Sequence, residues 1–130
     1  MKLDLNQLTI QVRDVEASIA FYQKLGLILI VKSLPEYARF VCHGRQTTFS
    51  LHRAGPSEAS KSTWIYFETQ DLDHDVQRLL DRGLEFEELP TDQPWLWREA
   101  RLKDPDGHQL ILYFAGNNRL HPPWRIHEAL

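Results

Sequence analysis

Val12-Arg13-Asp14-Val15-Glu16-Ala17-Ser18-Ile19-Ala20-Phe21-Tyr22-Gln23-Lys24-Leu25-Gly26-Leu27 is the stretch whose pattern recurs further along the chain. Asp14 suits a helix N-cap, Val15, Ile19, Tyr22 and Leu25 return at helical spacing, and Gly26 suits a left-handed C-terminal cap. The same frame comes back 57 residues on, where Asp71-Leu72 opens an amphipathic run that Gly83-Leu84 closes. Asp71 is again the expected cap, and Leu72, Val76, Leu79 and Leu80 share one helical face. A repeat of this size marks a duplicated supersecondary unit. Each copy alone buries little surface, and two together can enclose a site that neither forms separately.

The residues around each helix alternate with the period of a strand. Leu8, Ile10 and Val12 interleave with Gln7, Thr9 and Gln11, predicting a strand with one buried face. Strands are also predicted at 27–32, 38–43 and 46–52, with turns at Pro35 and His43-Gly44. The second copy follows the same plan, with strands at 64–69, 84–89, 96–103 and 108–114, the last two joined by the tight turn Asp104-Pro105-Asp106-Gly107. The chain thus divides into two β-α-β-β-β modules, 5–53 and 62–115, with a polar, flexible connector at 54–62 and a mostly irregular tail at 116–130. Asn117-Asn118 and Pro122-Pro123-Trp124 suggest a loop packing back through Trp124, with a disordered end as the alternative.

Composition bounds the function. A chain of 130 residues, 42% hydrophobic and 25% charged, suits one domain with a real core. Its net charge of −3 offers no basic footprint, so nucleic acid is not an expected partner, whereas a small-molecule ligand is open. The lone Cys42 makes no intramolecular disulfide. No apolar stretch is long enough to span a bilayer, and Met1-Lys2-Leu3-Asp4 lacks a signal-peptide pattern, so no membrane partner and a cytoplasmic location are expected.

The two modules, the stretch 12–27 and Asp104-Pro105-Asp106-Gly107-His108 resemble the vicinal oxygen chelate superfamily over about residues 5–115. That superfamily holds glyoxalases, extradiol dioxygenases, fosfomycin-resistance enzymes and bleomycin-binding proteins. The resemblance implies an α+β fold, a single domain over 1–130 whose modules form an open mixed sheet enclosing a cleft. It also implies a homodimer, with modules pairing either within or across chains. It does not choose a reaction, because one scaffold hosts several chemistries and plain binding.

For the metal-using members the resemblance implies four ligand positions, which fall here on Gln7, Ser50, Trp64 and Ile111. Trp64 and Ile111 offer no lone pair and Ser50 is a poor ligand, so no metal cofactor is expected at the standard place, and a divalent ion only with displaced ligands.

Strand alternation then nominates a ligand-binding set. Gln7, Thr9 and Gln11 share a face, as do Ser50 and His52, and Trp64, Tyr66 and Glu68; by resemblance Trp97, Glu99, Arg101, Gln109, Ile111 and Tyr113 point into the same concavity. The other faces, with Leu8, Phe49, Leu110 and Phe114 among them, suit packing on the helices. The plain alternative is a polar sheet face meeting water, which Trp64, Tyr66, Trp97 and Tyr113 make costly. Arg101 either pairs with Glu99 or grips a carboxylate or phosphate on a ligand. Trp95 and Trp97 form an aromatic rim or pack under the tail.

Two functions follow. One is a metal-free protein binding a small anionic or aromatic molecule. The other is a lyase, isomerase or dioxygenase with a displaced catalytic site at His52, Glu99 and Tyr113, in which His52 binds metal or acts as general base beside Arg101; the plain alternative for His52 is a pocket-wall histidine bonded to ligand or backbone. A dimerisation module is a third class.

Overall fold

Both repeated runs fold as helices, and both end through the same hydrogen bond. In the computed structural model, which describes residues 1–2, 5–55 and 63–126, helix α1 spans Val15–Leu25 and helix α2 spans Leu72–Asp81. Gly26 at φ 113° lets the Leu27 amide reach back to the Tyr22 carbonyl at 3.0 Å, and Gly83 at φ 89° lets Leu84 reach Leu79 at 3.1 Å. The helix starts differ. Asp14 accepts from the Ala17 amide at 3.1 Å, a side-chain cap. Asp71 makes no such bond, contrary to the expectation; beside it the Thr69 hydroxyl accepts the Asp71 amide at 3.4 Å and bonds Asp75.

Each helix lies against a four-stranded sheet. The first sheet orders its strands β1 (Gln7–Val12), β4 (Thr48–Arg53), β3 (Tyr37–Val41) and β2 (Ile28–Ser33). The second repeats this as β5 (Trp64–Glu68), β8 (Gln109–Phe114), β7 (Arg98–Lys103) and β6 (Glu88–Asp92). The first strand of each pairs in parallel with the last, and all other pairings are antiparallel. A short helix α3 (Asn117–Leu120) follows β8. Among the described residues no helix is long and apolar enough to cross a membrane.

The contacts divide the chain into two compact units, Met1–Thr63 with Asp104–His108, and Trp64–Lys103 with Gln109–Leu130. In the first, Ile10, Val12, Ala38, Phe40, Phe49 and Leu51 meet Val15, Ile19 and Tyr22 of α1 in the core. In the second, Ile65, Ala100, Leu102, Leu110 and Leu112 are buried with Leu72, Val76 and Leu79 of α2. Leu8 and Phe114, expected to pack the same way, are exposed; Leu8 is the second residue of β1 and Phe114 the last of β8.

Four strands start or end two or more residues away from the sequence reading, each for a local reason. The strand expected at 84–89 forms instead at Glu88–Asp92, because Leu84 is used to close α2. Its Pro90 is tolerated because β6 is an edge strand. β7 starts at Arg98 and not at 96, since Leu96 adopts φ 68° in the β6–β7 turn and donates its amide to Gln93 at 3.0 Å. Cys42 to Arg45 form a turn, with Arg45 at φ 61°, so β3 stops at Val41 and β4 begins at Thr48. Trp124 does not pack back: it is 58% exposed. The connector at 54–62 lies mostly, and His127 wholly, outside the described residues.

Candidate functional site

On the first sheet, strand alternation and register gather the polar residues. Thr9 stands opposite Ser50, and Gln11 and Tyr37 both stand opposite His52. Ser50, fully buried, bonds the Tyr37 hydroxyl at 2.7 Å and accepts from Gln7 Nε2 at 2.8 Å. Gln7 also donates to Thr9 Oγ1 at 3.0 Å, and its carbonyl oxygen bonds the Thr48 hydroxyl. Arg39, not singled out from sequence, donates through Nε to Tyr37 at 2.8 Å and lies 5.4 Å from that ring's centroid. This is a satisfied polar network across β1, β4 and β3. His52 stands apart from it, exposed, with Nδ1 donating to the Arg53 carbonyl at 2.9 Å.

On the second sheet the corresponding face is ring-bearing. Trp97 and Tyr113 stack at 4.6 Å with 17° between planes, and Tyr66 meets both edge-on at 5.7–6.1 Å. Tyr113 and Ala115 cluster with the fully buried Ile111, with Trp97 against them. Trp64 and Tyr66 leave about half their surface open, 56% and 44%.

Charged groups frame these rings. Glu99, 1% exposed, accepts from Trp95 Nε1 at 2.8 Å and from Arg101 at 3.3 Å, so of the two roles open to Arg101 it takes the pair. Arg101 also lies 3.9 Å from Glu88 and 5.3 Å from the Trp64 ring centroid. Its Nε is buried without a hydrogen-bond partner. Glu68 accepts the Ala115 and Gly116 amides at 2.9 and 3.1 Å and pairs with Arg119 at 3.7 Å. Burial above all, then the Glu68 charge, pushes the Tyr113 hydroxyl above the ordinary tyrosine value, with Arg119 opposing. Trp97 gives its indole N–H to the Asn118 carbonyl at 3.3 Å, so α3 holds one edge of the cluster. Trp95 is 40% exposed, at the margin of this face.

The displaced catalytic trio is split between units. Glu99 and Tyr113 are register partners on β7 and β8, while His52 lies on β4. Among the described residues no three His, Cys, Asp or Glu side chains group as a metal site requires. Nor does the set implied by the resemblance fit a divalent ion. Ile111 has no donor atom and is sealed in apolar contacts, Trp64 presents only an N–H, and the Gln7 and Ser50 oxygens are engaged by hydroxyls.

A polar cluster around the Asp104–His108 turn was read from sequence only as a turn. Asp104, Asp106 and His108 are all buried. Asp104 accepts from the Tyr22 hydroxyl at 2.7 Å and from the Asp106 and His108 amides at 2.9 Å. Asp106 accepts from the Arg13 amide at 2.9 Å and Arg13 Nε at 3.1 Å. His108 Nε2 donates to the Gln11 carbonyl at 2.9 Å, leaving Nδ1 buried without a partner. The signal was the pair of aspartates two apart in a Pro-Gly turn, facing a tyrosine on the apolar stripe of α1.

Similarity to known proteins agrees with this architecture. A glyoxalase/bleomycin resistance protein/dioxygenase from Nocardioides has a solved structure that is 27% identical, with 88% of this chain and 85% of that one covered and a TM-score of 0.73. TnmS3, an antibiotic binding protein from Streptomyces sp. CB03234, is 25% identical over 88% of this chain and 97% of its own, with a TM-score of 0.75. A lactoylglutathione lyase from Agrobacterium tumefaciens, 18% identical over 87% of this chain and 94% of its own, has a TM-score of 0.72 and shares the fold. No curated protein matches. The sequence profile of one family matches residues 4–112. With its duplicated β-α-β-β-β units and that match across most of its length, the chain belongs to the Glyoxalase/Bleomycin resistance protein/Dioxygenase superfamily.

Proposed function

We propose that this chain is a metal-free small-molecule-binding member of its superfamily, with the ring-bearing face of the second sheet as the ligand's contact surface. The observation that carries the reading is the exposure of Trp64 and Tyr66 beside the Trp97–Tyr113 stack. Rings left half open on a sheet face cost solvation that a flat organic ligand would recover. The donor chemistry at Gln7, Ser50, Trp64 and Ile111 supports binding without an ion, and the likeness to an antibiotic binding protein supports an organic ligand. The enzyme reading gains less support, since both Glu99 oxygens are engaged by Trp95 and Arg101.

The test is elemental analysis of the purified protein together with a thermal-shift screen against flat organic molecules and divalent metals. Binding to the folded state raises the melting temperature by mass action. The proposal expects no stoichiometric metal and a rise with organic ligands alone. Stoichiometric metal that is lost in His52→Ala would overturn it. A homodimer belongs to the same proposal, supported by Ile28 and Ile30 lying exposed on edge strand β2. Sedimentation showing a monomer at micromolar concentration would count against that part.

A further inference from the structure

We infer that the ligand of the second sheet's ring-bearing face is an organic cation, a flat ring system carrying an ammonium or similar group; this rests on the binding reading above. Arg101, on inner strand β7, is the feature of the face that suits an anion. The pairings weigh against an anion, although Arg101 Nε is left without a hydrogen bond. Arg101 is held by Glu99 at 3.3 Å and Glu88 at 3.9 Å, and it already lies over the Trp64 ring. Lys103 is matched by Glu87 at 3.5 Å, and Arg119 by Glu68 at 3.7 Å. Among the described residues this face and the helix beside it therefore carry four carboxylates against three cations.

Arg98, the remaining cation of these strands, pairs at 3.0 Å with both Asp73 and Asp92 and has nothing to spare. The surplus carboxylate lies at Arg101, which Glu88 and Glu99 share, on the same face as open rings whose π faces attract cations. Tyr66 and Glu68 sit two apart on β5, on one face of the strand, so a ring-stacked ligand on Tyr66 brings an ammonium within reach of the Glu68 carboxylate. The Glu68 ion pair is long at 3.7 Å, its Arg119 partner half exposed on a four-residue helix. An incoming ammonium competes there on better terms than an anion competing for Arg101 against two carboxylates.

The experiment uses three probes with one ring and three charges: 1-naphthylmethylammonium, 1-naphthalenemethanol and 1-naphthylacetate, titrated calorimetrically into the full chain at low salt. The expected order is cation tightest and anion weakest, with at least a tenfold gap between them that narrows in 0.5 M salt. Glu68→Gln keeps an oxygen for the Ala115 and Gly116 amides while removing the charge, and is expected to reduce the cation's advantage severalfold. Arg119→Gln is expected to tighten the cation. Equal affinity, or a preference for naphthylacetate, would overturn the cation assignment and leave the binding reading standing. No heat from any of the three, with the face covered by a second copy of the chain as one cause, would overturn both.

Discussion

Replacing Tyr22 by Phe removes one oxygen from the middle of the first unit, and the consequence has a sign in pH as well as a size. The Tyr22 ring is fully buried, and its hydroxyl donates to Asp104 Oδ2 at 2.7 Å, with Asp104 itself 5% exposed. The substitution leaves the ring packing intact and costs the carboxylate one charge-assisted hydrogen bond, about 2 kcal/mol. At roughly 2.1 cal/mol/K of unfolding entropy per residue, a 130-residue chain should melt about 7 °C lower.

Burial first, then the charge and hydrogen bond of Asp104, hold the Tyr22 hydroxyl far above its ordinary value of 10.0, so it stays protonated in the fold when an unfolded tyrosine ionises. The stability this contributes is complete below pH about 10 and is lost as pH rises beyond it, because there the unfolded chain binds fewer protons than the native one. By pH 11 the loss is about 1.4 kcal/mol for one such group. The gap between wild type and Tyr22→Phe should therefore shrink from about 2 to about 0.6 kcal/mol between pH 8 and pH 11, measured by urea unfolding. A gap below about 0.5 kcal/mol at pH 8, or one that is unchanged at pH 11, would refute the reasoning.

Gly83→Ala should cost about 1–2 kcal/mol by urea unfolding, from backbone strain alone, because φ is +89° and a Cβ there meets nothing within 4 Å. Ile111→Ala, at a fully buried position beneath the rings, should cost about 2–5 kcal/mol, and a smaller loss would mean that the site collapses onto the gap. Trp64→Ala and Tyr66→Ala should each weaken 1-naphthylmethylammonium severalfold while changing the melting temperature little, since both side chains are about half exposed. A drop in melting temperature as large as that of Ile111→Ala would make them packing residues.

What the sequence disclosed and what it withheld follow from the range of the forces involved. The duplicated frame from Asp14 to Gly26 and Asp71 to Gly83 is local, set by caps and a 3.6-residue period, so both helices and most strands were legible. Period-2 alternation likewise placed Thr9 with Ser50 and Glu99 with Tyr113 once the strands paired. β6 was misplaced because Leu84 answers to the helix before it and not to the strand after it. The Tyr22–Asp104 bond spans 82 residues, and no local pattern announces such a partner. The choice of Arg101 between Glu99 and a ligand was undecidable from a strand with both residues on one face, since it depends on side-chain reach and on Trp95 arriving from the preceding turn. Trp64 and Tyr66 were read from sequence as ligand-facing, and their half-open surfaces are what direct attention to a ligand.

Calorimetric titration of 1-naphthylmethylammonium into chelator-treated protein is the deciding measurement. Binding at full stoichiometry without metal, abolished when Trp64 and Tyr66 are both replaced by Ala, is the result expected of a metal-free, ring-lined receptor. Binding that arises only after a divalent ion is added back, or that survives loss of both rings, would contradict it.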